Sequence, residues 1–274
     1  MNEIELLKDD KYELPKNRDD SVMYFDTFLK QLYEDYLNDI SNMKPTSAIG
    51  TRAQEKIQQI QVITEGILLS IKKYLTGQPS TAYSILDDIL SDNSILLNQL
   101  LSNNLIGDKV GVLYKLRESD ITLSSREDLF HVPFDLRHKI STYRYSIPGY
   151  PCLYLGGSLY VCWEELNKPD FSKLYLSAYK IDDTIRVLNF GYRPAEIAVI
   201  IENMSQHMTK VLENFCEAYM ILWPLIAACS IRVLIDGPFK VEYIIPQLLL
   251  QWISNERSEI DGIRYFSTKV VEYI

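Results

Sequence analysis

The chain is poor in the residues that usually announce a chemistry. Three histidines and four cysteines are spread over 274 residues. Cys152, Cys162, Cys216 and Cys229 fall at spacings that fit neither a zinc ligand set nor a compact disulfide framework. They are expected as buried, reduced thiols, and no metal is expected. Phosphate turns rich in glycine are missing as well. No G-x-G-x-x-G follows a strand and no G-x-x-x-x-G-K-[ST] occurs, which excludes the Rossmann and P-loop modes of nucleotide binding. No G-x-S-x-G elbow argues for acyl transfer. Pro133 separates His131 from His138 and His207 stands alone, so all three are expected to make local hydrogen bonds only. Basic residues are outnumbered, 28 to 37, for a formal net charge of -9. With no basic run either, nucleic acid is not an expected partner. The N-terminus, MNEIELLKDDKYELPKNRDD, has no apolar core, and Pro224, Ser230 and Arg232 interrupt YMILWPLIAACSIRVLI. No membrane association and a cytoplasmic location are therefore expected.

What the chain does have is 47% hydrophobic residues, enough to bury a sizeable core. Residues 1–19 are polar, contain Pro15 and predict an extended or loosely ordered lead-in. Residues 20–105 predict a helical domain. In Ser21–Asn42 the residues Phe25, Phe28, Leu29, Leu32, Tyr33 and Tyr36 line one helical face. Thr51–Leu75 repeats the pattern, and Pro79–Leu90 and Ser94–Leu101 are shorter helices, with no strand in the region. Beyond Gly107 the pattern becomes mixed, and 107–274 predicts an α+β domain. Strict alternation over Gly111–Arg117 predicts a strand with Lys115 and Arg117 on one side. Further strands are expected at Cys152–Leu155, Lys173–Tyr179, Thr184–Leu188, Arg232–Ile235 and Gly262–Ser267. Helices are expected at Leu159–Leu166, Pro194–Leu212, Phe215–Cys229 (kinked or broken at Trp223-Pro224) and Pro246–Ile253.

The densest stretch is Tyr143–Glu165, YRYSIPGYPCLYLGGSLYVCWEE. Pro148-Gly149 and Pro151 shape a loop, Gly156-Gly157 ends the short strand, and Ser158 is placed to cap the helix that follows. Asn167, Lys168 and Pro169 stop it. A strand leading through glycines into a helix with a carboxylate is a suitable wall for a small-molecule pocket. By residue type alone, Arg144 fits a surface turn and Glu164 and Glu165 fit an ordinary helix surface equally well. Neighbours on a helix point roughly 100° apart, so the two glutamates cannot share a role.

The sequence resembles the RES domain family, named for an arginine, a glutamate and a serine. The features that carry the resemblance are Leu113-Tyr114-Lys115-Leu116-Arg117, then Arg144-Tyr145 with Gly149, then Leu153-Tyr154-Leu155, then Glu165 eleven residues after Tyr154, and last Gly262–Ser267. That spacing selects Glu165 over Glu164. The resemblance implies a split, mostly antiparallel sheet similar to that of ADP-ribosyltransferases, preceded here by a helical extension. It further implies a toxin or defence effector that cleaves the nicotinamide–ribose bond of NAD, by hydrolysis or phosphorolysis, with NAD as substrate and no other cofactor. ADP-ribosyl transfer and a non-catalytic binding module on the same fold are the alternatives. Glu165 is then expected to stabilise the cationic ribose, Arg144 with Arg117 or Lys115 to hold the diphosphate, Tyr154 and Tyr145 to face the nicotinamide, and Ser267 to orient. Lys115 departs from the family's arginine and lacks its fork. A neutralising antitoxin protein is an expected partner, and a homo-oligomer is compatible with the resemblance. A helical RNase in 20–105 is disfavoured, because that region holds no R-x-x-x-x-H.

Overall fold

A computed structural model describes residues 1–18, 24–102, 112–182, 184–203, 209–235 and 237–269. Among these residues the chain is α+β. The elements are α1 (Glu3–Lys8), α2 (Phe25–Asn42), α3 (Ala48–Glu55), α4 (Ile57–Leu75), α5 (Pro79–Asp92), α6 (Ser94–Gln99), β1 (Leu101–Ser102), β2 (Leu113–Glu118), α7 (Leu159–Glu165), β3 (Leu174–Tyr179), β4 (Val187–Phe190), α8 (Pro194–Asn203), α9 (Lys210–Ala228), α10 (Ile244–Glu256) and β5 (Gly262–Tyr265). The strands form two small sheets. In one, β1–β4 is antiparallel and β4–β5 parallel; in the other, β2 and β3 form an antiparallel pair.

The chain divides into two compact units. Unit 1 is Met1–Ser102 with Arg186–Phe266, and unit 2 is Asn103–Ile185 with Ser267–Ile274. Residues 186–266 belong to the same unit as the N-terminal helices. The cause is α9, which is buried on nearly every face from Leu212 to Ala228 and so needs helices all round it. Helices α3, α4 and α6 pack on it. By length and composition α9 is apolar enough to cross a membrane; in this fold it is the core helix of unit 1.

Pro224 lies inside α9, yet the helix runs on where a kink or break was expected. Proline has no N–H to donate to the carbonyl four residues earlier, that of Met220. The Tyr36 hydroxyl of α2 donates to that carbonyl instead, at 2.7 Å, and Tyr33 donates to the carbonyl of Pro224 at 2.8 Å. Trp223 stacks on Tyr36 with centroids 4.2 Å apart and meets Tyr12 edge-on at 5.3 Å.

Several expectations are corrected in unit 1. Residues 1–18 are not a loose lead-in. Asn2 caps α1 in a capping box with Glu5, and Leu6, Leu7, Tyr12 and Leu14 are fully buried. The helix expected over 51–75 is two, divided at Lys56 (φ -93°, ψ 18°) with no glycine or proline to signal it. Leu101, expected to end a helix, begins β1. Residues 232–235 form no strand; Ile231 makes a lone parallel bridge to Lys16. The helix expected over 194–212 does not run through as one: α8 is described over Pro194–Asn203, Thr209 is extended and caps α9, and residues 204–208, His207 among them, lie outside the described residues.

Arg52 of α3 and Lys56 at the division both bond the same carboxylate of α9, Glu217, with Lys56 Nζ at 2.8 Å. Burial alone would raise the Glu217 carboxyl, but Lys56 and Arg52 outweigh it and hold it below its ordinary 4.5. A depressed carboxyl stabilises the fold above its unfolded value and loses that contribution as pH falls through the folded one. Unit 1 is therefore expected to lose stability on acidification below about pH 4.5. Glu217→Gln, compared with wild type by urea midpoints from pH 7 to pH 3, should flatten that dependence.

Candidate functional site

The described part of unit 2 begins with β2, which pairs with β3 in the register Leu113↔Tyr179 to Glu118↔Leu174. Residues opposite each other share a face, so Lys115 and Arg117 lie on one side with Tyr175, Ser177 and Tyr179. Both cations bond main-chain carbonyls of the turn beside the sheet, Lys115 that of Phe130 and Arg117 that of Asp128. The Tyr179 hydroxyl takes the carbonyl between them, Leu129, at 2.7 Å. Burial, and then the neighbouring Arg117, push the Lys115 amine below its ordinary value. The shared face follows the alternation of the sequence. The structure does not bring either cation to Glu165, and their work in it is to hold the 128–130 turn.

The stretch expected as a strand at Cys152–Leu155 is not one. It meets β2 at a single point, Gly156, whose N–H and carbonyl both pair with Tyr114 at 2.8 and 2.9 Å. The chain then turns directly into α7. Gly156 is required there because a Cβ would stand 2.6 Å from the Cys162 sulfur. Cys162 in turn bonds the Tyr114 carbonyl at 3.2 Å, which fixes α7 against β2. No disulfide joins any of the four cysteines; three are buried and Cys152 is half-buried. Ser158 caps α7 as expected, accepting from Val161 N–H at 3.2 Å.

Helix α7 presents its two glutamates differently. Glu164 is buried and pairs with Lys168 at 3.2 Å; the Tyr160 hydroxyl and Lys168 hold its carboxyl below the ordinary range. Glu165 is exposed and accepts the Ser267 hydroxyl at 2.5 Å. Beside it, Arg144 Nη2 donates to Thr268 Oγ1 at 3.1 Å. The three residues whose types name the family resemblance, Arg144, Glu165 and Ser267, thus meet at one place: two directly, the third through the residue next to Ser267. Arg144 is only 6% exposed, so its guanidinium works from inside on the segment that carries Ser267.

The aromatics divide as well. Tyr154 is half-buried, its hydroxyl bonds the Tyr145 carbonyl, and its ring lies 4.9 Å from that of Tyr143. Tyr145 is 4% exposed, so its ring is part of the interior and its main chain anchors Tyr154. His131 Nδ1 lies 2.9 Å from the Val132 carbonyl, a local contact of the expected kind. Among the described residues no three His, Cys, Asp or Glu side chains converge to hold a metal ion.

Sequence reasoning missed Thr268, Lys269 and the side chain of Asn167. Lys269 donates from Nζ to the Glu165 carbonyl at 2.8 Å and to Asn167 Oδ1 at 2.9 Å, and from its main chain to Ser267 Oγ at 3.1 Å. No periodicity marks them, because each is defined by a partner about 100 residues away.

The site can supply an exposed carboxylate with a hydroxyl donor fixed on it, backed by a buried cation. No protein-family model and no solved structure matches this chain. Over 271 residues it is 35% identical to a Bacillus subtilis (strain 168) protein named "Putative toxin YopC", a match that takes in 95% of this chain. The chain spans 60% of the length of that relative, to which it is similar along almost all of its own sequence.

Proposed function

We propose that this protein is a toxin, and that unit 2 cleaves the nicotinamide–ribose bond of NAD in the manner of the RES domain family it resembles. The observation that carries the proposal is the Ser267–Glu165 contact, with Arg144 on the adjacent Thr268. In the step proposed, the C1′–N bond breaks and its electron pair goes to the nicotinamide nitrogen, neutralising the pyridinium. Glu165 stabilises the cationic ribose carbon left behind. Water or phosphate then bonds C1′ through an oxygen lone pair, and the proton carried by that oxygen passes to bulk water. Ser267 orients the Glu165 carboxylate, and Arg144 braces the Ser267 segment through Thr268. The toxin role is supported by the name of the relative and by the family resemblance, and a protein that covers Glu165 would serve as antitoxin.

The engagement of Lys115 and Arg117 with carbonyls favours a second reading, a binding module that has lost turnover, since a diphosphate would have to displace the 128–130 turn to reach them. Nicotinamide release from NAD by purified protein, with and without phosphate, decides between the two. Wild type is expected to turn NAD over, and Ser267→Ala to be slower by roughly 10- to 100-fold, as expected for one hydrogen bond to a charge. Dependence on phosphate would identify the acceptor. Folded wild-type protein that binds NAD without consuming it would establish the binding module.

A further inference from the structure

Helix α7 ends in a closed cap. Asn167 adopts left-handed backbone (φ 63°), and its N–H donates to the Glu164 carbonyl at 3.0 Å. The Lys168 N–H reaches back to the Trp163 carbonyl, also at 3.0 Å. This is a Schellman closure with asparagine in the position glycine usually takes. Lys168 is left-handed too (φ 58°), so the turn holds two non-glycine residues in an unfavourable region. The closure satisfies the carbonyls of Trp163 and Glu164 and leaves that of Glu165, at the negative end of the helix, for another donor.

That donor is the Lys269 ammonium, which also takes Asn167 Oδ1. The main-chain N–H of the same lysine donates to Ser267 Oγ. With one lone pair of that oxygen engaged, the hydroxyl hydrogen is aimed at Glu165 Oε1. A single residue therefore fixes both members of the pair, Glu165 through its carbonyl and Ser267 through its oxygen.

We propose that Lys269 is the positioning residue of this site, clasping the end of α7 so that the Ser267–Glu165 pair is set before a ligand arrives. Its catalytic meaning rests on the NAD-cleaving function proposed above; the clasp itself does not. Lys269→Met is expected to lower kcat for NAD about 100-fold with KM little changed, the effect of a small misplacement at a reacting centre. Lys269→Arg, which keeps a cation in reach of both oxygens, should recover activity to within about tenfold of wild type. A lysine that served stability alone would give no such split between kcat and KM and no such rescue. Independently of activity, amide hydrogen exchange at Asn167 and Lys168 should be about tenfold faster in Lys269→Met, because the cap loses the tie that holds it shut. Unchanged exchange overturns the clasp whatever the turnover, and wild-type kcat in Lys269→Met overturns its positioning role. If wild type does not consume NAD, the proposed function falls while the exchange measurement still decides the clasp.

Discussion

Glu165→Gln is expected to lower nicotinamide release about 1,000-fold and to leave the fold and NAD affinity almost unchanged. The substitution is nearly isosteric. Glutamine keeps an acceptor oxygen for the Ser267 hydroxyl, and the main-chain carbonyl that receives Lys269 is untouched. Only the negative charge is removed, and a developing cation at the ribose carbon is stabilised by charge more than by any neutral acceptor. The effect should therefore fall on kcat, since bound NAD carries little of that extra positive charge on its ribose carbon before the bond breaks. Glu164→Gln is the control one residue away. Glu164 is buried against Lys168 and Tyr160, and its loss should leave turnover near wild type. Equal losses from both substitutions would mean that α7 is sensitive to any change, and the assignment of Glu165 would fail.

The largest stability effect is expected in unit 1, where Trp223→Ala should cost about 3–5 kcal/mol. Trp223 is fully buried, stacked on Tyr36 and edged by Tyr12. Its indole N–H makes no hydrogen bond among the described residues, so packing accounts for its contribution. Removing the ring leaves a cavity beside the Tyr36 and Tyr33 hydroxyls that bond the α9 main-chain carbonyls around Pro224. Trp223→Phe keeps an aromatic stack and removes the unbonded N–H, and should cost less than about 1.5 kcal/mol. Urea midpoints for both variants measure the difference. A Trp223→Ala protein as stable as wild type would show that the core closes over the gap and that the three-ring cluster is dispensable.

The elements that could be read from sequence were those with a one-sided environment. Helix α2, α4 and α5 present one buried face, β2 carries Lys115 and Arg117 on one face of its pairing with β3, and Ser158 caps its helix through an N–H three residues away. Such patterns are local and repeat with the period of the backbone. The expected 51–75 helix failed at Lys56, where no glycine or proline marks the division and the side chain bonds Glu217, 161 residues further on. α1 was missed because six residues are too few for a period to show, although Leu6 and Leu7 are among its buried positions. The uninterrupted course of α9 through Pro224 depends on tyrosines nearly 200 residues earlier. At the candidate site the family resemblance, through its spacing from Tyr154, singled out Glu165, whose carboxylate accepts the Ser267 hydroxyl. The contacts of Lys115 and Arg117 were not legible, since alternation predicts the face of a side chain and says nothing of which carbonyl awaits it.

The Ser267–Glu165 pair also has a place in time. Its two members are separated by 102 residues, and Lys269, which fixes both, follows Ser267. During synthesis at about 5–20 residues per second, α7 leaves the ribosome roughly 5–20 s before the segment that completes the site. Through that interval Glu165 has neither its hydroxyl nor its clasp. The candidate site is thus assembled only after residue 269 has emerged, and a chain interrupted earlier carries α7 without the residues that set it.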